Sequence, residues 1–475
     1  MPGAGPQPER RLLEEFWRLA GEEAPPVGVV HGEGVLPSAL DTSGLALGAV
    51  AATASAAAGL AEARGGARPV GRVDGRAVRA AFRSDQLFRL DGRPVEGFAP
   101  LSGFWPASDG WVRTHANYPH HRARLLAALD LPDSAGADDL GRALAGGAAA
   151  EAEGRVLAAG GLCVAVRSAA GWRAHPQAAA VDTLPVVGWH RLAEAPRRRL
   201  AVAPVAPLLP ASGLKVLDCT RVIAGPVATR SLALLGADVL RVDPPGLPEI
   251  GWQHLDTGMG KRSTLLDLGE PADRRRFEAL LDEADVLVAG YRPEALAHLG
   301  LDPAGLAERR PGLVVATVTA WGPAGPWGGQ RGFDSIVQAA TGIALAESTD
   351  GVTPGRLPAQ ALDHATGYLL AAAVLRAVTL QLRDGGSFHV EVHLARIAHW
   401  LLAQPAGRRG ELAGSDGVLR ERETPSGVLR YPGPAFRVGA SPEDWEVVGG
   451  RWGADPPAFL RGGPSPGAGV ARPAR

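Results

Sequence analysis

The sequence predicts an α/β protein: a doubly wound parallel-sheet domain joined to a smaller α+β domain. Three observations carry this. From residue 215 onward, short apolar runs alternate with segments of helical length, as in strands linked by crossover helices. Between residues 101 and 187 the character changes to short strands around Ser108-Asp109-Gly110 and three Ala-rich helical segments. A proline-rich stretch at 203–210 separates the two and reads as a linker.

The elements follow in order. Residues 9–19 read as a short amphipathic helix, and 43–64 as an Ala-rich helix stopped by Gly65 and Gly66. A strand is expected at 71–73 and a helix from Ala77. The smaller domain carries helices at 121–129, 137–145 and 149–159, and a strand at 163–166. The large domain opens with a strand at 215–217. A turn at Ala224-Gly225-Pro226 and a helix at 227–235 follow. Further strands are expected at 237–242, 264–268, 286–288 and 314–317, with helices at 272–284 and 303–310. The resulting domain map is a partial unit at 1–95, the small domain at 96–202 and a linker at 203–212. A sheet domain at 213–407 and a partly disordered extension at 408–475 complete it.

One internal similarity stands out. Ala39-Leu40-Asp41 opens an apolar helix ending at Gly65-Gly66, and Ala361-Leu362-Asp363 opens another ending at Gly385-Gly386. The pair suggests a duplicated unit.

Composition narrows the function. The 475 residues are 46% hydrophobic and 21% charged, with a formal net charge of -1. That supports a packed core and gives no global basic field for nucleic acid or an anionic membrane. No uninterrupted apolar stretch reaches the roughly 20 residues of a membrane span. Two cysteines, Cys163 and Cys219, make no disulfide framework and fit a reducing cytoplasm.

Candidate chemistry lies mostly in the large domain. The turn Arg221-Val222-Ile223-Ala224-Gly225-Pro226 joins a buried strand to a helix N-terminus. Free backbone N–H groups there suit a phosphate, although an ordinary sheet connection looks the same. Lys261-Arg262 is a basic pair in a Gly-containing loop, readable as a phosphate contact or as solvated surface. Arg292 follows the strand at 286–288, at the edge where open parallel sheets bind ligands. Asp363 is the leading acidic candidate. At a helix start it reads as an N-cap, and a carboxylate held there is expected to stay ionised and able to attack a thioester. His115, His120 and His121 lack metal-ligand spacing and read as surface or packing residues. No metal site is expected, and no serine-hydrolase elbow is present.

The stretch from Gly213 to Trp400 resembles the class III coenzyme A (CoA) transferases, the group containing formyl-CoA transferase and carnitine CoA-transferase. The resemblance runs through Leu214-Lys215-Val216-Leu217-Asp218, Arg221 to Pro226, Leu235-Gly236-Ala237-Asp238-Val239 and Gly260-Lys261-Arg262-Ser263. It continues through Ala284-Asp285-Val286-Leu287-Val288, Tyr291-Arg292-Pro293 and Gly332-Phe333-Asp334. It implies a Rossmann-like fold and CoA transfer between an acyl-CoA and a small carboxylic acid. Aspartyl anhydride and aspartyl-CoA thioester intermediates would form on Asp363. It further implies CoA contacts at Val222, Ala224 and Gly225, and phosphate contacts at Lys261, Arg262 and Arg292. CoA is then a substrate, with no permanently bound cofactor. Either a homodimer or a monomer that imitates one is implied. The module at 101–187 resembles the family's small domain but precedes the large one, as in two fused, rearranged units. Alternatives on the same fold are a non-catalytic CoA-binding paralogue, a CoA lyase and an acyl-CoA racemase. The racemase histidine would fall at Phe333.

Overall fold

The computed structural model describes residues 8–200, 209–415 and 417–460. Its centre is a seven-stranded sheet. The strands are β1 (Gly188–Ala193), β2 (Lys215–Cys219), β3 (Asp238–Asp243), β4 (Arg262–Leu265), β5 (Val286–Ala289), β6 (Val314–Thr319) and β7 (Ser387–His393). Their order is β4-β3-β2-β5-β6-β7-β1. Strands β2 to β7 are parallel, and β1 closes one edge antiparallel to β7.

Strands covered on both faces need apolar residues at every position. Val286-Leu287-Val288-Ala289 is buried throughout. Its alternate residues feed two cores, because successive side chains leave opposite faces. Val216, Val239, Val286 and Val288 join one cluster, with Val227, Leu232 and Leu369 of the helices over them. Leu217, Leu240 and Leu287 join the other, with Phe277, Leu280 and Leu306.

The principal helices are α1 (Thr42–Ala63), α2 (Ala224–Leu234), α3 (Pro271–Glu283), α4 (Pro303–Arg309) and α5 (Ala361–Asp384). Helices α1 and α5 are the two Ala-rich helices that the sequence paired, and they pack on each other. Thr53 Oγ1 donates to the Tyr368 carbonyl at 2.7 Å. Close approach of α5 to α2 requires Gly367, since a Cβ there would lie 2.4 Å from the Ala224 carbonyl oxygen. By length and composition α1 and α5 could cross a membrane, but 94% and 89% of their apolar windows are buried in the protein. They are core helices.

The smaller unit has a three-stranded antiparallel sheet, Phe104–Ala107, Gly110–Thr114 and Cys163–Ala165. Its core holds Leu125, Leu140, Val156 and Cys163.

Several expectations need correction. Ala224-Gly225-Pro226 is the first turn of α2 rather than a separate turn. Proline fits there because its missing N–H would be unpaired anyway. The strand expected at 264–268 is Arg262–Leu265. The N-cap of α5 is Gln360, so Asp363 is the third residue inside the helix. Asp41 does cap α1, accepting from the Gly44 amide. Residues 188–193, placed by the sequence in the small domain, form the edge strand β1 of the large sheet. The segments 1–95 and 408–475 do not fold apart. Phe436–Val438 pairs with Gly71–Asp74, and Gly427–Pro432 pairs with Arg89–Leu90. The linker at 203–208 and the tail from 461 lie outside the described residues.

Candidate active site

The chain runs from β2 outward through β3 to β4, then returns to β5 on the other side of β2. Neighbouring loops therefore diverge between β2 and β5, and their carboxyl ends frame a crevice. A cleft of about 370 Å³ occupies it. Cys219 and Arg221 line it after β2, Gly290, Tyr291 and Arg292 after β5, and Thr319 and Ala320 after β6. The small unit closes the top with Tyr118, His120 and His121. Val222, Ala224, Gly225, Arg292 and Asp363 all meet in this cleft.

Asp363 lies on the cleft wall, 6% exposed. Its carboxylate accepts no hydrogen bond among the described residues. Its backbone N–H donates to Asp334 Oδ2 at 3.0 Å. Burial first, then the Asp334 and Asp85 carboxylates, push its pKa well above the ordinary carboxylate value. Asp334 is itself raised to about 6, chiefly by burial. Asp85 is raised to about 7 by burial and Asp256. The sequence expectation of a readily ionised N-cap carboxylate is thereby corrected. Asp363 sits inside the helix among acidic neighbours, so its anion is poorly solvated and unpartnered. Such an anion is a strong nucleophile once formed.

The β2–α2 turn is strained. Val222 has φ 71°, a region β-branched residues rarely occupy. Glu249 sits below it, with Oε2 3.4 Å from the Val222 amide nitrogen. Glu249 is buried, and Arg241 holds it at 2.8 Å while also pairing with Asp243 at 2.7 Å. Tyr118 Oη of the small unit donates to Glu249 as well. Burial would raise Glu249, but Arg241 and Arg221 hold it down at about 2. This buried network ties the small unit to the turn.

The Arg292 side chain is 40% exposed, and its one carboxylate partner among the described residues is Glu294, at 3.9 Å. Arg331 joins it in the cleft lining. Arg124 and Arg331 both donate to the Gly160 carbonyl, at 3.3 and 3.4 Å. Neither has a carboxylate partner among the described residues. The rim is therefore locally basic in a chain of near-zero net charge.

The other two basic candidates are elsewhere. Lys261 Nζ is buried against Asp218 Oδ2 at 2.8 Å. Arg262 lies at the amino end of β4, pairing with Asp238 at 2.8 Å and donating to the Ala458 carbonyl at 2.6 Å. Neither lines the cleft, which corrects their assignment to phosphate. Lys261→Met is expected to cost roughly 3–5 kcal/mol by stranding the buried Asp218 charge. Chemical denaturation reads that loss, while KM for a CoA ligand stays at the wild-type value in the folded fraction. A raised KM with unchanged stability would restore the phosphate role.

Sequence reasoning missed Asp85, Tyr118, Arg124, Glu249 and Arg331. Asp334 and Arg241 were also unassigned, although Asp334 stood in a quoted block. His115 is buried and stacks on Phe333 at 4.0 Å, with His121 edge-on at 5.7 Å. The racemase position is thus filled by a phenyl ring, which cannot move a proton. His364, next to Asp363, is fully buried and stacks on Phe82 at 5.1 Å, turned into the core.

The profile of CoA-transferase family III matches residues 211–428. A probable fatty acyl-CoA transferase of Mycobacterium tuberculosis is 33% identical over 251 residues, 49% of this chain and 64% of its own length. An acetyl-CoA:oxalate CoA-transferase of Acetobacter aceti is 32% identical over 203 residues, 40% of this chain and 52% of its own length. The chain thus spans less than two thirds of either relative. A crystal structure of a Mycobacterium tuberculosis protein superposes at a TM-score of 0.40 with 37% identity, covering 42% of this chain and 56% of that one.

Proposed function

We propose that the cleft moves CoA from an acyl-CoA to a small carboxylic acid through Asp363, a reading supported by the match of residues 211–428 to the profile of CoA-transferase family III. The supporting observation is the unpartnered Asp363 carboxylate on the wall of a cleft at the sheet's switch point.

A carboxylate oxygen of Asp363 attacks the donor thioester carbonyl. The C–S bond breaks, leaving an acyl–aspartyl anhydride and CoA thiolate. The thiolate attacks the aspartyl carbonyl, expels the donor carboxylate and leaves an aspartyl-CoA thioester. An acceptor carboxylate attacks that thioester, forming a second anhydride and freeing the thiolate. Thiolate attack on the acceptor carbonyl yields the new acyl-CoA and restores Asp363. Every step exchanges one acyl bond for another, so no oxidant or external energy source is required.

The chain's other residues serve binding and exclusion of water. The α2 N-terminus at Ala224 and Gly225 offers N–H groups to an anion. Arg292 and Arg331 offer charge-assisted hydrogen bonds to phosphate at the rim. Arg292→Ala is expected to raise KM for acyl-CoA roughly tenfold with kcat nearly unchanged, since the lost contact is equal in ground and transition states. Steady-state kinetics checks it.

The functional test is chromatography of CoA thioesters after mixing the protein with an acyl-CoA and a panel of carboxylic acids. Transfer gives a new thioester in step with loss of the donor. Free CoA accumulating without a new thioester would mean hydrolysis and would overturn the reading.

A further inference from the structure

We propose that His190, His389 and Glu391, at the far edge of the large sheet, form a binding site for one divalent transition-metal ion of the zinc type. None of the three lines the cleft, and the inference is independent of CoA chemistry.

The argument starts from the strand pairing. β1 and β7 are antiparallel, with His389 directly opposite His190 and Glu391 opposite Gly188. Residues two apart on a strand share a face, and opposed residues are in reach of each other. Their ligating atoms accordingly all lie within 4.8 Å of one another. His190 Nε2 is 3.0 Å from Glu391 Oε1. The rings of His190 and His389 stack with centroids 5.6 Å apart.

A further layer of contacts aims these groups. Thr317 Oγ1 holds His389 through Nε2 at 2.8 Å. The other ring nitrogen has no protein partner among the described residues. His393 Nε2 lies 3.3 Å from Glu391 Oε2, and Thr319 Oγ1 holds His393 Nδ1 at 2.8 Å. Outer partners of this kind fix ring and carboxylate orientation in metal sites.

Gly188 supplies an independent sign that space is kept for the cluster. A Cβ there would lie 2.8 Å from Glu391 Cγ, 3.1 Å from Glu391 Oε1 and 3.2 Å from His190 Nε2. Any side chain at 188 would push the carboxylate off the imidazole.

The donor chemistry selects the ion. Two imidazoles and one carboxylate, with a position left for water, suit zinc and its neighbours better than calcium or magnesium. The His190 side chain is 49% exposed, so an ion can enter from solvent. The three donors sit on paired strands, which hold geometry better than loops. A bound ion would clasp β1 to β7, pinning the chain where it returns from the small unit.

Cobalt(II) titration of the tag-free full chain tests this, followed by zinc displacement. The expected result is one equivalent of cobalt with visible d–d absorption, bleached by zinc, and a higher unfolding temperature that a chelator reverses. Glu391→Gln, His389→Ala and Gly188→Ala are each expected to bind roughly 100-fold more weakly or worse. His31→Ala, remote from the cluster, is expected to bind as wild type. No saturable uptake by the wild-type chain would overturn the site. So would undiminished binding by Glu391→Gln and His389→Ala together.

Discussion

Asp363→Asn is expected to abolish CoA transfer, lowering kcat by roughly 10⁴-fold or more, the scale of losing a covalent nucleophile. The amide keeps the shape and can still sit among Asp334 and Asp85, but it offers no anion for the thioester. CoA binding should survive, because the turn at Val222 to Gly225 and the Arg292–Arg331 rim are untouched. The same change is expected to stabilise the protein at neutral pH. Asp363 has a folded-state pKa raised by burial and by Asp334 and Asp85. Its contribution to stability is therefore full below the unfolded carboxylate value and is lost as pH rises through the folded value. Asn carries no such titration, so the variant's advantage should widen with rising pH and close in acid. Activity runs the opposite way. The attacking form is the anion, so kcat/KM should climb with pH through the raised pKa. Denaturation curves and a pH–rate profile read the two trends separately. An active site that costs stability in this way is a familiar trade-off.

Arg241→Met is the second large effect, expected to lower the unfolding free energy by roughly 3–5 kcal/mol. Arg241 is fully buried and is the common cation of Asp243 and Glu249. Methionine fills the volume and leaves both carboxylates without it. The pH dependence identifies the cause. In the wild type, Glu249 is held at about 2, below its ordinary 4.5. That depressed value contributes stability present above 4.5 and lost as pH falls through 2. In the variant, burial acts without Arg241, and protonation relieves the stranded charge. The gap between the two proteins should therefore shrink as pH falls. Urea titrations at several pH values check it, and a gap constant with pH would assign the loss to packing alone. Because Glu249 also holds Tyr118 and underlies Val222, the variant's cleft should loosen as well, visible as a raised KM for acyl-CoA.

The doubly wound sheet was legible because its strands are short runs of Val and Leu separated by helical lengths, and burial on both faces demands that pattern. The helix start beside Asp363 was legible from the apolar run that follows it, although the position of Asp363 within that start was off. Gln360 takes the cap, and three residues of shift move the carboxylate from a solvating N–H cluster into an acidic core. Lys261 and Arg262 were misplaced because adjacent cations in a Gly-containing loop look alike whether they face a phosphate or an internal carboxylate. The deciding partner, Asp218, is 43 residues away. Tyr118 and Glu249 are 131 residues apart, and His190 and Glu391 are 201 apart. Local spacing carries no trace of such pairs. The edge strand β1 was hidden by its polar face, since His190 and Arg191 alternate poorly with apolar neighbours.

The most direct test of the central claim is intact-mass spectrometry after incubation with a panel of acyl-CoAs and hydroxylamine trapping, on wild type and Asp363→Ala. The account predicts a CoA-thioester or acyl adduct on the wild type, a hydroxamate mapping to Asp363, and neither on the variant. Catalytic transfer with no adduct at Asp363, or an equal adduct on the variant, would contradict it.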